Sequence, residues 1–252
     1  MKAFTYEYYR NLLDELKTQE YEFIFFDDLI SVEDPNKKVV LLRHDIDFDP
    51  EKALKLAEIE KENNVSSTFF FLLNSVFYNV HSVKILSIIN KIIAYGHSIG
   101  VHFDTSSYEF IDKSFNLQKF IKKEIDSFEK LFKYKISTIS FHRPTTNILL
   151  NNISIPFRHT YEEIYTKKVK YLSDSKKQMS EGDILQIIRN SKYKKMQLLI
   201  HPIWWSEKSV SSDSDYNLFV KRKIIELEQA IVDNSKIYKL KKGYKWKKYK
   251  HE

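Results

Sequence analysis

Four histidines follow short apolar runs of the sequence: His102, His142 and His201 directly, and His44 after Arg43. The runs before them are rich in Val, Ile, Leu and Phe, which is typical of buried strands. In parallel α/β folds, ligands bind at the carboxyl ends of the strands, where the connecting loops are free to vary. We therefore expect these four histidines to meet at one edge of a sheet.

Carboxylates accompany the first of these histidines. Asp45, Asp47 and Asp49 follow His44 closely, and Asp45 and Asp47 share a face if the extended conformation continues. Asp49 precedes Pro50 and is better explained as the N-cap of a helix. Imidazole and carboxylate ligands, in a chain without cysteine, suit zinc or a harder divalent ion with open coordination positions. The pattern indicates a site where a metal ion activates water.

Three more side chains near the histidines have chemistry of their own. Arg143, beside His142, can clamp an anionic oxygen or hold a carboxylate through two parallel hydrogen bonds. Trp204 and Trp205 come shortly after His201. Their rings either stack against a sugar in the site or pack beneath the rim of the sheet.

The composition excludes several classes of protein. The chain has 252 residues, of which 42% are hydrophobic and 30% charged, as in ordinary soluble globular proteins. The absence of cysteine excludes disulfide scaffolds, iron–sulfur clusters and cysteine nucleophiles. The four glycines fit neither of the glycine-rich phosphate-binding loops. No apolar run is long enough for a transmembrane segment, and the N-terminal residues lack the apolar core of a secretory signal, which predicts a cytoplasmic protein.

Short apolar runs alternate with helical patterns along the chain, which predicts βαβ units and a parallel sheet. The expected organisation is one domain over residues 1–234, followed by a tail over residues 235–252. The predicted strands cover residues 38–42, 67–73, 98–102, 136–141, 170–172 and 196–200. The predicted helices cover residues 50–63, 83–95, 115–132, 183–189 and 218–232.

The excess positive charge is concentrated in the tail. Residues 235–252 contain eight lysines and one glutamate, whereas the rest of the chain contains 33 basic and 33 acidic side chains. Tyr238, Tyr244, Trp246 and Tyr249 lie between the lysines. This pattern fits a solvated extension, or a peripheral contact with an anionic membrane, nucleic acid or acidic polymer. Nucleic acid is disfavoured, because the neutral body offers no extended basic groove in its composition.

Five short motifs follow one another along the chain. They are Leu-Arg-His-Asp-Ile-Asp at 42–47, Gly-His-Ser-Ile-Gly-Val-His at 96–102, Phe-His-Arg-Pro at 141–144, Leu-Ser-Asp-Ser at 172–175 and Leu-Leu-Ile-His-Pro at 198–202. In this order they resemble the polysaccharide deacetylase superfamily, also called NodB homology or carbohydrate esterase family 4. The resemblance is strongest to its divergent His-Asp-x-Asp branch. It implies a distorted (β/α) barrel of about seven parallel strands in a single domain, and removal of an acetyl group from an N-acetylated sugar.

The resemblance also implies a divalent metal ion, with zinc first and cobalt, nickel, manganese or iron as alternatives. Asp47 and His102 resemble two of its ligands. The histidine that usually comes four residues after the first is replaced here by Ser106. The ion is therefore weakly held or absent, or another side chain completes the site. The candidates for that third ligand are Asp104, His142 and His44.

Catalytic roles are implied in the same way. Asp45 resembles the catalytic base, and Arg143 resembles the arginine that orients it. His201 resembles the general acid toward the leaving amine, and Asp174 resembles the partner that tunes this histidine. One departure is that Ile46 stands where the second acid of the first motif usually follows the base directly.

Three functions remain open from the sequence. The first is a cytoplasmic, metal-dependent hydrolase that removes an N-acetyl or other acyl group from an amino sugar or glycan precursor, with a carbohydrate as partner. In that case His44, Trp204 and Trp205 are candidates for substrate contacts. The second is an inactive, carbohydrate-binding protein with the same barrel. The third is a scaffold that binds nucleic acid or an anionic membrane through its tail.

Overall fold

The computed structural model describes residues 2–109, 116–150 and 153–235 and residue 237. The chain divides into two units, Met1–Ser209 and Val210–Glu252. The first unit contains the sheet and every candidate site residue. The boundary after residue 234 stays a prediction, and the tail aromatics Tyr238, Tyr244, Trp246 and Tyr249 lie outside the described residues.

A parallel sheet forms the centre of the first unit. Its strands are β1 (Glu22–Phe23), β2 (Val39–Ile46), β3 (Thr68–Phe71), β4 (Ser98–Asp104), β5 (Thr138–His142), β6 (Arg158–His159), β7 (Lys170–Ser173) and β8 (Lys195–Ile200). Seven of them lie side by side in the order β6-β5-β4-β3-β2-β8-β7, and β1 pairs with the start of β2. Each pair is parallel. In the described part of the chain β6 and β7 are the open edges, so the predicted distorted barrel of about seven strands is confirmed.

The helices are α1 (Tyr6–Thr18), α2 (Pro50–Glu62), α3 (Val83–Ala94), α4 (Ser106–Glu109), α5 (Leu117–Phe132), α6 (Thr146–Leu149), α7 (Glu163–Thr166), α8 (Ile184–Arg189) and α9 (Ser212–Asn234). Helices α2 to α8 lie between strands, whereas α1 precedes the first strand and α9 belongs to the second unit. The N-cap predicted at Asp49 is confirmed, since its carboxylate accepts a hydrogen bond of 3.1 Å from the amide of Lys52. None of the helices in the described residues has the length and apolarity that a bilayer span requires.

The two faces of the sheet pack against different parts of the chain. Side chains such as Phe69, Val101 and Ile139 face outward into a large core with α2, α3 and α5. On the inner face, Leu41 and Phe70 belong to a smaller cluster that fills the lower part of the barrel. Because side chains alternate along a strand, polar residues at alternate positions enter the barrel interior, which is where the site forms.

β4 carries a glycine where β3 presses against it. A Cβ atom on Gly100 would lie 2.4 Å from a ring carbon of Phe70 and 2.6 Å from the carbonyl oxygen of Thr138. Only glycine lets the aromatic ring of Phe70 lie there, inside the barrel. This close approach keeps β3, β4 and β5 packed around the site.

The six predicted strands and five predicted helices all occur, with ends shifted by a few residues. Residue 115, predicted to begin α5, lies outside the described residues. β2 continues to Ile46, four residues beyond the predicted end, so the polar motif is part of a strand. The helix α1 and the short strands β1 and β6 were not predicted.

Candidate metal centre and catalytic site

Asp47, His102 and His142 come together at the carboxyl ends of three strands. Asp47 follows β2, His102 lies on β4, and His142 ends β5. The Nε2 atom of His102 and the Nδ1 atom of His142 are each 3.1 Å from Oδ1 of Asp47 and 3.2 Å from each other. Three potential ligand atoms therefore form a nearly equilateral triangle.

This triangle fits a divalent metal ion. Ligands about 2.0–2.1 Å from a tetrahedral zinc ion lie about 3.3 Å apart, close to the spacings observed here. The lone pairs of two ring nitrogens and a carboxylate oxygen repel one another at these distances. A proton or a metal cation between them removes this repulsion. Although burial opposes ionisation, hydrogen bonds from His102 and His142 hold the pKa of Asp47 well below its ordinary value. The donor set is thus an anionic carboxylate with two imidazoles.

The pairing of β4 with β5 explains how His142 reaches His102. Asp104 and His142 are paired in the register of these strands, as are His102 and Ser140. His142 therefore lies at the strand end, one pleat above His102 on the same face. His142, and not Ser106, thus supplies the third potential ligand atom of the triangle.

Asp45 lies next to the triangle and is held by Arg43. Nε and Nη2 of Arg43 donate hydrogen bonds of 2.8 and 2.7 Å to the two carboxylate oxygens of Asp45. One of those oxygens is 3.7 Å from Nε2 of His102. Burial opposes ionisation of Asp45, but the charge of Arg43 and its hydrogen bonds keep the pKa of Asp45 below its ordinary value. Asp45 is accordingly an ionised, oriented carboxylate.

Arg43 is itself fixed inside the barrel. Its side chain is fully buried, and its Nη atoms donate to Oε1 of Gln197 at 3.0 Å and to Oγ of Ser140 at 2.5 Å. The guanidinium carbon lies 5.7 Å from the ring centre of Phe70 and 5.3 Å from that of Tyr161. A buried guanidinium with partners on several strands is a rigid support for the carboxylate.

His201 occupies the other side of the site and is held by Asp174. Nδ1 of His201 donates to Oδ1 of Asp174 at 2.6 Å, and the His201 amide donates to both carboxylate oxygens. The indole of Trp205 donates to Oδ2 of Asp174 at 2.9 Å. Burial disfavours a charged ring, but the charge of Asp174 and its hydrogen bond raise the pKa of His201 to about 9.

The two halves of the site share one opening. Nε2 of His201 is 4.0 Å from Oδ2 of Asp47. The side chains of Asp47, His142 and His201 are 16%, 18% and 15% exposed, so a solute reaches all three. Of the four histidines predicted to meet at one edge of the sheet, His102, His142 and His201 lie together there.

Arg143 does not reach the carboxylate that it was expected to orient. Its side chain is 70% exposed, and Nη2 donates to Oδ2 of Asp104 at 2.7 Å. Asp104 also accepts a hydrogen bond from Ser106, so it is engaged at the rim and is not part of the ligand triangle. The structure thus does not support Arg143 as the partner of Asp45 or Asp104 as a metal ligand.

His44 points away from the site. It alternates with Arg43 and Asp45 on β2, so its ring lies on the outer face, fully buried. Its Nε2 is 2.6 Å from Oε1 of Glu60, which also accepts a hydrogen bond from the hydroxyl of Tyr9. The structure therefore does not support His44 as a metal ligand or a substrate contact.

The two tryptophans are also covered by protein. Trp205 is fully buried, with its ring centre 5.1 Å from that of Tyr9 and 5.5 Å from that of Phe4. Trp204 is 5% exposed. Neither ring is a platform for a sugar, and the alternative of packing beneath the rim is the one observed.

Arg43, Ser140 and Gln197 are the site residues that the sequence analysis missed. Arg43 carried a usable signal, because it is two residues from Asp45 on a strand and so shares its face. Ser140 and Gln197 had no such signal, since their role depends on β8 pairing with β2 and on β5 facing β2 inside the barrel.

Comparison with known proteins gives structural similarity only. No family model matches the sequence, and no curated protein matches it. Solved structures of carbohydrate esterase family 4 are similar to this chain. One is a family 4 carbohydrate esterase from Bacillus anthracis, with 16% identity, coverage of 90% of this chain and 87% of that one, and a TM-score of 0.42.

Two further similar structures are a deacetylase and a pseudoenzyme. The deacetylase PplD of Streptococcus pyogenes, in complex with acetate, has 15% identity, coverage of 79% and 82%, and a TM-score of 0.43. A pseudoenzyme of the same family from Bacillus anthracis has 16% identity, coverage of 77% and 63%, and a TM-score of 0.40. These proteins are from the family that the five sequence motifs resemble.

Proposed function

We propose that this protein is a metal-dependent hydrolase that removes an acyl group, foremost acetyl, from the nitrogen of an amino sugar or glycan precursor. The observation that carries the proposal is the convergence of a ligand triangle, an oriented carboxylate and an acidic histidine on one opening. The motif order supports the carbohydrate substrate class. A cytoplasmic location stays a prediction of the sequence.

Asp47, His102 and His142 are the residues that would hold the ion. A divalent ion supplies Lewis acidity, which makes water more acidic and an acyl carbonyl more electrophilic. Zinc is the proposed ion because the donors are two imidazoles and one carboxylate, with positions left for water and substrate. Completion of the triangle by His142 favours an active enzyme over an inactive carbohydrate-binding protein.

Asp45 is proposed to accept the proton of the attacking water. Arg43 holds both of its oxygens, so the carboxylate keeps one orientation and stays ionised at neutral pH. Oδ2 of Asp45 is 3.7 Å from Nε2 of His102, which places it beside the ligand triangle. A positioned base of this kind contributes roughly 10²–10⁴-fold to the rate.

His201 is proposed to donate the proton that the leaving nitrogen needs. The bond from Nδ1 to Asp174 leaves Nε2 facing the opening. With its pKa raised to about 9, the ring is protonated at neutral pH and able to act as an acid. Amine expulsion requires this proton, because an amide anion is a poor leaving group.

Release of acetate from a panel of N-acetylated sugars, their nucleotide conjugates and oligosaccharides tests the proposal. With zinc added, the parent should release acetate, and Asp45→Asn and His201→Gln should be slower by about 100-fold or more. The exposed His81 offers a matched control, since His81→Gln should stay within about twofold of the parent. An O-acetylated sugar serves as the comparison substrate.

The proposal fails if the zinc-loaded parent releases no acetate from any N-acetylated compound. It also fails if Asp45→Asn releases acetate as fast as the parent. Faster release from the O-acetylated sugar than from every N-acetylated one would contradict the assignment of the scissile bond.

A further inference from the structure

Six lysines line one cleft at the bottom of the barrel, outside the site described above. The cleft has a volume of about 560 Å³. Its lysines come from two stretches of the chain that are distant in sequence: Lys167, Lys168, Lys170, Lys192, Lys194 and Lys195. Each stretch contributes three lysines, and the fold brings the two groups together in one cleft.

Acidic groups compensate only part of this charge. Lys167 pairs with Glu163, and Glu181 pairs with Lys170 and lies 3.8 Å from Lys192. Among the described residues, Lys168 and Lys194 have no carboxylate partner, and both are exposed. Six positive charges thus face two negative ones, and such an excess attracts anions.

Tyr193 also lines the cleft and contacts two of its lysines. The Nζ atoms of Lys170 and Lys192 lie 5.3 and 5.0 Å from its ring centre. The hydroxyl of Tyr193 donates a hydrogen bond of 3.0 Å to Oε2 of Glu181. The tyrosine therefore gathers cationic groups on one side of the cleft.

The cleft and the candidate active site lie at opposite ends of the same two strands. Lys170 and Lys195 begin β7 and β8, whereas Asp174 and His201 follow their carboxyl ends. At about 3.3 Å per residue, β7 spans about 13 Å and β8 about 20 Å. A ligand in the cleft is therefore separate from a substrate at the metal triangle.

We propose that the cleft binds a soluble anion that carries two or more phosphate groups. Lysine ammonium groups are compact charges with three donors each, and several of them together suit the many oxygens of linked phosphates. No arginine lines the cleft, so its cationic groups act as point charges, the form in which lysine binds phosphate. The volume lies within the usual range for small-molecule sites.

Calorimetric titration of the full chain with inorganic tripolyphosphate tests the proposal. Replacing Lys168 and Lys194 together by glutamine should weaken binding about tenfold, since two charge pairs are lost. The matched control replaces Lys123 and Lys130 on α5 by glutamine; these two lysines are also exposed. This change should alter the affinity for tripolyphosphate less than twofold. Both double variants retain the basic tail, so any binding of tripolyphosphate to the tail is the same in both and cancels in the comparison.

A variant with the opposite expected effect guards against general damage to the fold. Glu181→Gln removes a negative charge from the cleft, so tripolyphosphate should bind severalfold more tightly. Vesicles of phosphatidylglycerol and of phosphatidylcholine distinguish a lipid source of phosphate from a soluble one. The proposal is overturned if the parent does not bind tripolyphosphate, if the two double variants bind alike, if Glu181→Gln does not tighten binding, or if only the anionic vesicles bind.

Discussion

Arg43 and Asp45, two residues apart on β2, are joined by two parallel hydrogen bonds of 2.8 and 2.7 Å inside the barrel. The motif resemblance assigned this function to Arg143, which instead lies at the rim beside Asp104. The carboxylate proposed as the base is thus held from within its own strand.

This relationship predicts different results for the two arginines. Arg43→Lys should lower kcat at least about tenfold, because an ammonium cannot hold both oxygens of Asp45 at once. Arg143→Lys should change kcat less than about threefold, because the exposed side chain contacts only the rim. Steady-state kinetics of both variants, with unfolding curves to check stability, measure the difference. An equal loss in the two variants would argue against Arg43 as the positioning residue.

A second prediction concerns the ionisation of His201. Asp174→Asn removes the negative charge beside the ring, so the pKa of His201 should fall from about 9 toward its ordinary value of 6.5. Histidine NMR of the protein without added metal measures this pKa directly. As a general acid, His201 acts only when it is protonated. As the pH rises, the variant should therefore lose activity at a lower pH than the parent does. An unchanged pKa would show that Asp174 does not tune the ring.

A third prediction concerns the buried Glu124 on α5. Burial raises its pKa to about 7, although hydrogen bonds from Tyr108 and Asn74 oppose the shift. Because the folded state favours the protonated acid, its contribution is favourable at low pH and is lost as pH rises from 4.5 through about 7. Glu124→Gln should therefore stabilise the protein at pH 8 by on the order of 3 kcal/mol and change little at pH 4.

Urea unfolding of the parent and of Glu124→Gln across this pH range measures the difference in free energy of unfolding. The exposed Asp126→Asn on the same helix is the control, and it should show no comparable dependence on pH. A difference between Glu124→Gln and the parent that is the same at both pH values would contradict the raised pKa.

Strand periodicity and the gathering of polar residues at strand ends could be predicted because they follow from local sequence. The same alternation places the side chains of His44 and Asp45 on opposite faces of β2, so the outward orientation of His44 was also predictable. The sequence predicts His142 only as one of three candidates for the third ligand, because the choice depends on the register that pairs it with Asp104 across β4 and β5. Arg143 was misassigned because a motif gives a position in the chain and not the direction of a side chain.

The helix α1 was also accessible in principle. Tyr9, Leu12, Leu13 and Leu16 recur with helical spacing, and all four are fully buried. Tyr9 reaches Glu60 and packs on Trp205, behind the pair of His201 and Asp174. That contact could not be predicted, since it joins segments far apart in the chain.

The amount of zinc bound by the parent and by His142→Gln tests the central claim most directly. After incubation with zinc and removal of the excess, elemental analysis of the parent should give one ion per chain. His142→Gln should retain much less zinc, whereas Ser106→Ala should match the parent, because Ser106 is not in the triangle. A parent without bound zinc, or full zinc content in His142→Gln, would contradict the site formed by Asp47, His102 and His142.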